Sequence, residues 1–519
     1  MGCCTPSGGA TSSEFGEALR QLRQEHGVSL RALARRINYD FGYIGQLERG
    51  ERAGSAKLAE LCDDALAGEG RLQEAFRRSG HVPGSAEQQP TPAHTRTLVA
   101  QDTPKLTSAL DIGRDDMLRR GFLVSSTLAL GAALAPTLES LPDAAPQAQL
   151  VSISGPVGRL FAGSSVPAMV LPAVSRERVT VDIPVQRGIS HFVRRPEHTL
   201  VVGRAGSGDH ARLYASDTRH VRSKLRHSTD VVRLPIPTAY VLDELTLGLI
   251  WAIANLDDSL LDDDAELHAA HSHLADLDKL NRSAAGRDLV ADLTPLSQAW
   301  LGSDFCARHI TRNSAVLSET PTFWTCEQRG EEVSGWLFFT HKFEYLKAST
   351  RGLDDTSTEK PTRAFCIPPE AVAASGAPER MLLLLSAALM ESFGIKIQVC
   401  TDADYTQVEG FVSDSRKAIL ANWVGSDSLW HVDITDQRST LAGFDDAAQY
   451  AVAHSVTAGA SPRDRLKAFA GYLQLDWPTA TQRCAELGRY GLEGLMTPRS
   501  RLLSVAGAER ACQFIGRLA

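Results

Sequence analysis

The stretch Leu30-Arg-Ala-Leu-Ala-Arg-Arg-Ile-Asn-Tyr-Asp-Phe-Gly-Tyr-Ile-Gly-Gln-Leu-Glu-Arg-Gly50 decides how the N-terminal part of the chain folds. Leu30, Leu33, Ala34 and Ile37 recur at helical spacing, and Ser29 stands where it can cap the helix they define. Asn38 and Tyr39 make a turn, Asp40 is placed to cap a second, short helix over residues 41–49, and Gly50 stops it. Ala34 is small where the two helices cross closely, and Ile37, Ile44 and Leu47 fill the wedge between them. Upstream, residues 14–26 read as a helix with Phe15, Ala18, Leu19 and Leu22 on one face, ended by Gly27. Downstream, Leu58, Leu61, Leu66 and Leu72 continue a helical pattern that closes the core of a unit spanning residues 14–80.

This pattern resembles the Cro and phage-repressor helix-turn-helix family, also called the XRE family, of regulators found in high-GC bacteria. Leu33-Ala34, Ile37, Ile44 and the Leu47-Glu48-Arg49-Gly50 ending all fall where that family has them, and the resemblance covers about an eighth of the 519 residues. It implies that the recognition helix turns its first residues to base edges in a major groove while the preceding helix crosses the backbone. Carried over, the base-facing positions are Phe41, Gly42, Gly45 and Gln46, and the phosphate candidates are Arg31, Arg35, Arg36, Tyr43, Arg49 and Arg52. Gln46 suits an adenine edge and Phe41 a thymine methyl. Polar or basic residues more often stand where Phe41, Gly42 and Gly45 are, and two glycines lower helix propensity by about 1 kcal/mol each. Direct base readout is therefore expected to be thin, with shape and phosphate contacts carrying more. The resemblance implies a cytoplasmic, sequence-specific transcriptional regulator that binds double-stranded DNA as a homodimer on a roughly palindromic site.

Composition limits what surrounds this unit. A chain of 519 residues exceeds what one core serves, so several domains are expected. With 43% apolar and 22% charged residues it belongs with globular proteins, and its net charge of −8 means that any nucleic-acid affinity is local. The nine cysteines are scattered without a Cys-x-x-Cys pair, which fits reduced thiols and gives no zinc or disulfide framework. The Met1-Gly2-Cys3-Cys4 start resembles a lipidation signal, but Pro6 stands where that signal wants Ser or Thr.

The fold class expected is α+β multidomain: an all-α helix-turn-helix domain, a flexible linker, and a mixed α/β C-terminal body. Residues 81–115 are rich in Pro, Gln, Thr and Ser and read as linker, and residues 116–178 as an apolar helix and connector. Residues 179–519 form the regulatory or dimerisation body, divisible at about residue 365 into two subdomains, 179–365 and 366–519. Within the connector, Arg119-Arg120-Gly121-Phe122-Leu123 and the run to residue 138 resemble a twin-arginine export signal and tempt a membrane assignment. The run is short for a span, ends at Pro136 after three hydroxyl residues, and follows a complete folded unit, so a buried helix is the better expectation.

The body offers few chemical signals. Gly203-Arg-Ala-Gly-Ser-Gly208 lacks the residues of a phosphate loop and reads as a hairpin turn. His268, His271 and His273 follow an acidic run but lack a second ligand pair, so no metal is expected. The basic segment from Arg219 to His227 reads as a solvated strand or turn, with a second DNA contact or an anionic-ligand contact as the alternative. Trp324, Trp336 and Tyr345 read as core, with a ligand pocket as the alternative. No catalytic motif, and hence no enzyme activity and no cofactor, is expected; a small-molecule effector fits the body's size. The competing readings are a DNA-tethered enzyme or metabolite-binding protein, and a membrane-associated interaction protein anchored by residues 122–138.

Overall fold

The apolar positions of the N-terminal stretch close into one small core. In the computed structural model, which describes residues 14–26, 28, 33, 36–37, 41–48, 55–78, 148–154, 165–175, 178–185, 187–207, 211–226, 230–326, 331–350, 360–424 and 428–519, four named helices surround it. These are α1 (Glu14–Glu25), α2 (Phe41–Glu48), α3 (Ala56–Leu66) and α4 (Arg71–Arg78). Phe15, Leu19, Leu22, Leu33, Ile37, Ile44, Leu47, Leu58, Leu66 and Leu72 are all buried together, with Ala18 and Leu61 packed at the edge. Each large apolar side chain removed from water contributes about 1.5–3 kcal/mol, which gives this small unit a core of its own. Ser55 caps α3 by accepting from Leu58 N at 3.2 Å. The linker and the apolar run at 122–138 lie outside the described residues, and no helix among the described residues is long and apolar enough to cross a membrane.

The body holds two sheets. The first contains β1 (Gln149–Ser154), β2 (Ser165–Ser175) and β3 (Val179–Pro184), then, after α5 (Arg187–Val193), β4 (Leu200–Ala205) and β5 (Arg212–Asp217). Helix α6 (Thr218–Arg226) precedes β6 (Val231–Ile236), and the strand order is β5-β4-β2-β3-β6. The long strand β2 pairs antiparallel with β1 through its first half and with β3 through its last residues, while its other edge runs parallel to β4. Strand β6 alternates buried and exposed residues, and its Pro235 is tolerated because the strand lies at an edge. The body therefore begins at least as early as Gln149, upstream of the Val179 that alternation marks. Two prolines, Pro167 and Pro172, interrupt the strand signal inside β2.

A helical layer follows: α7 (Glu244–Asp262), α8 (Asp264–His273), the short strand β7 (Ser283–Gly286) and α9 (Pro295–Asn313). Asp243 and Thr246 form a reciprocal capping box at the start of α7, each bond 3.0 Å long. Helix α7 is apolar nearly all round because it lies inside the body. Then come β8 (Thr322–Thr325), α10 (Glu331–Phe338), α11 (Thr340–Ser349), β9 (Thr362–Cys366), α12 (Pro369–Ala374), α13 (Ala377–Ser392) and β10 (Lys396–Cys400). Strands β11 (Phe411–Ser413), β12 (Ala418–Asn422) and β13 (Ser428–Thr435) complete the second sheet, ordered β10-β9-β8-β11-β12-β13-β7. The chain ends in α14 (Arg438–Ala453), α15 (Pro462–Tyr472), α16 (Trp477–Tyr490) and α17 (Ala506–Gly516).

The division at residue 365 does not survive. Strands from both sides of it alternate within the second sheet, and one continuous buried cluster joins both sheets, the central helices α7 and α13, and the C-terminal helices. Asp257 on α7 makes the closure visible: it accepts from His198 Nε2, Arg499 N and Ser500 N, each at 2.7 Å. A smaller cluster under α14 covers the opposite face of the second sheet.

Candidate nucleic-acid interface

Helix α2 is held by a buried ion pair. Arg23 on α1 donates from Nε and Nη2 to the two oxygens of Glu48, at 2.7 and 2.9 Å, and from Nη1 to the Val28 carbonyl at 2.8 Å. Both side chains are almost wholly buried, 4% and 6% exposed. A paired, fork-to-fork geometry is what makes such a bridge tolerable inside a core. The last residue of α2 is thereby fixed to α1, while Ile44 and Leu47 fill the wedge beside it. Burial and the nearby Asp63 and Glu48 charges push the Cys62 thiol up to about 12, so it packs as a neutral group.

The far side of the unit is closed by a second buried carboxylate. Asp63 accepts from Leu72 N at 3.0 Å and Gln73 N at 2.9 Å, capping α4 from within α3. Gly68 sits in the intervening turn, where an added Cβ would strike Asp63 Oδ1 and Leu22. On α4, Arg71, Arg77 and Arg78 pair with Glu25, Glu74 and Glu14. That face is charge-balanced. Between residues 28 and 55, by contrast, the sequence holds five arginines, at 31, 35, 36, 49 and 52, against the three acidic residues Asp40, Glu48 and Glu51, and Glu48 is engaged inside by Arg23. By formal count along the sequence, the segment that contains α2 is the basic part of the unit.

Of the residues that the resemblance assigns to DNA, Arg36 is exposed and donates to the Ala65 carbonyl at 3.3 Å, near the C-terminal end of α3. Gly45, also on α2, is buried. Phe41, Gly42, Tyr43 and Gln46 lie on α2, but their side chains, and all of Arg31, Arg35, Arg49 and Arg52, lie outside the described residues. Apolar periodicity does not point to Arg23 and Glu48. The available signal is an arginine on the same stripe as Leu19 and Leu22, with a glutamate directly after Leu47.

The body's candidates resolve differently from one another. The segment after Asp217 is helix α6, not strand or turn: Val221 and Leu225 are buried, Arg219 donates to the carbonyls of Thr497 and Pro498, and Arg222 to those of Val193 and Arg195. Arg219 thus braces the C-terminal segment, and Arg222 the end of α5. Gly203 lies within the β4–β5 hairpin, and an added Cβ there would come within 2.6 Å of Val181. His271 pairs with Asp304 at 3.2 Å, and no group of three potential metal ligands occurs among the described residues.

Ser303, His341 and Asp304 meet in a manner that invites a catalytic reading, with Ser303 Oγ 2.8 Å from His341 Nε2. The other leg is too long, 3.9 Å from His341 Nδ1 to Asp304 Oδ1, and Ser303 is wholly buried. Burial pushes His341 down to about 3, too weak a base for neutral pH. Trp324, Trp336 and Tyr345 are core residues and also line one cavity, together with Lys342 and Arg363.

Comparison with curated proteins and with solved structures gave no match. A family model described as a helix-turn-helix domain matches residues 14–76, the unit that the buried Arg23–Glu48 pair holds together. The N-terminal unit is a helix-turn-helix domain, a fold that supports DNA binding.

Proposed function

We propose that this protein is a bacterial, cytoplasmic transcriptional regulator of the XRE type that reads duplex DNA through α2. Two copies, related by a two-fold axis, place their recognition helices in successive major grooves about one helical turn apart. Phe41 and Gln46 meet base edges, and Arg31, Arg35, Arg36, Tyr43, Arg49 and Arg52 hold phosphates; the mixed α/β body supplies dimerisation, effector sensing, or both. It is a binding protein and performs no turnover. The observation that carries this reading is the packed wedge of α1, α2 and α3, locked by Arg23 and Glu48 beside a locally basic segment.

The test is the salt dependence of binding to DNA from upstream of its own coding region. Affinity should fall steeply with salt, and Arg35→Ala with Arg36→Ala should lower the log–log slope by about one for each phosphate no longer neutralised. An unchanged slope in a folded double variant removes the phosphate assignment.

A further inference from the structure

Lys342 and Arg363 come together inside the body without a counter-ion among the described residues. Lys342, in the first turn of α11, is 4% exposed and Arg363, on β9, is 3% exposed. Lys342 Nζ stands 4.1 Å from the ring centre of Trp336 and 4.9 Å from that of Trp423. The Arg363 guanidinium carbon lies 4.4 Å from the ring centre of Phe323 and 5.1 Å from that of Trp336. Arg363 donates to Thr325 Oγ1 at 2.8 Å and to Tyr345 Oη at 3.2 Å, but its Nε finds no acceptor among the described residues. No carboxylate among the described residues pairs with either cation; Asp304 acts on Lys342 only through space.

Two like charges held side by side in an aromatic box oppose folding, and cation–π contacts offset only part of their lost hydration. Elsewhere in the molecule buried guanidinium groups are answered: Arg23 by Glu48 and Arg465 by Glu391, the latter through two bonds of 2.7 Å. Lys342 and Arg363 have no such carboxylate among the described residues, and they line a cavity of about 40 Å³ with Trp336, Tyr345, Phe411 and Trp423. A water needs roughly 10–15 Å³ by this measure, so the space takes a group of a few heavy atoms. The surroundings offer donors and flat apolar walls, and what they lack is an acceptor with negative charge.

We propose that this cavity binds a small oxyanion, the carboxylate or phosphate group of a small molecule, between Lys342 and Arg363. This deepens the effector-sensing part of the proposed function, on which its regulatory meaning rests, although the binding itself involves no DNA. Arg363, already oriented by Thr325 and Tyr345, offers its remaining donors as a fork, and Lys342 supplies a point charge from the adjacent helix.

The test follows tryptophan fluorescence of the full chain, since Trp336 and Trp423 line the site, during titration with acetate, benzoate and inorganic phosphate at constant ionic strength. Benzamide serves as the neutral control. A saturable response to at least one anion and none to benzamide is expected; preference for acetate and benzoate identifies an organic acid, and preference for phosphate a phosphate ester. Lys342→Met should weaken binding about 30-fold or more while circular dichroism stays unchanged. Arg363→Lys, which keeps the charge but loses the fork, should weaken it less and guards against a fold defect in the first variant. No saturable response to any of the three anions, equal binding of benzamide, or undiminished binding by folded Lys342→Met overturns the proposal. Because no DNA is present, such a failure leaves the helix-turn-helix reading standing, and failure on DNA leaves this one standing.

Discussion

Two of the places where this molecule buries arginine or lysine treat the charge in opposite ways. In the N-terminal unit, Arg23 meets Glu48 in a two-pronged bridge and fixes the recognition helix to its neighbour. In the body, Lys342 and Arg363 share aromatic walls and no carboxylate answers them among the described residues. A buried pair that is already satisfied holds a structure in place. A buried cation that is not satisfied, and that borders a cavity, is held in readiness for something that brings the missing charge.

The largest effect should come from breaking the satisfied pair. Arg23→Met leaves Glu48 buried and alone, which should cost about 3–5 kcal/mol of stability in the N-terminal unit. Urea titration followed by helical circular dichroism reads this, and DNA binding should disappear with it. Adding Glu48→Leu should restore most of the stability, because well-packed apolar residues replace a buried pair at little cost. A double variant as unstable as the single one would mean that the bridge is not what the helix depends on.

Removing a charge from the unsatisfied pair should do the reverse. Burial, with the Arg363 charge beside it, pushes Lys342 down to about 7 from an ordinary 10.5, against the upward pull of Cys306 and Asp304 from α9. Trp336 on α10, Tyr345 on its own helix and Trp423 after β12 also surround it. A lowered lysine means that the unfolded chain binds more protons between those two values, so the handicap is full below about 7 and fades as pH rises towards 10.5. Lys342→Met should therefore be more stable than the parent at pH 6, and the advantage should shrink by pH 10. For the same reason anion affinity should hold below pH 7 and fall by about tenfold per unit above it. A pH-independent difference between parent and variant would contradict this account of Lys342.

The smallest effect concerns the cap. Asp63→Ala should cost about 1–2 kcal/mol, by freeing the Leu72 and Gln73 amides, with no change in the salt slope of DNA binding. A change in that slope would place Asp63 at the interface instead.

Much of the N-terminal unit was legible because helical periodicity reports buried apolar faces directly: Leu33, Ile37, Ile44, Leu47, Leu58, Leu66 and Leu72 are all core. Arg23 with Glu48 was not, since a pairing 25 residues apart leaves no local pattern. In the body, Trp324, Trp336 and Tyr345 read as core and are core, and the cavity they also line belonged to the alternative reading. The cations beside it carried no signal, because Lys342 and Arg363 lie on different elements that only the fold brings together. Strand β2 was hidden by its prolines, and α6 by arginines that obscure the buried Val221 and Leu225. Sheet pairing between strands far apart in the chain is what defeated the division at residue 365.

The most direct measurement is selection of bound duplexes from a random pool by the full-length protein at low ionic strength. The account predicts enrichment of a two-fold-related sequence whose binding is lost in Arg23→Met and recovered in the double variant with Glu48→Leu. A folded protein that retains no duplex from the pool would contradict it.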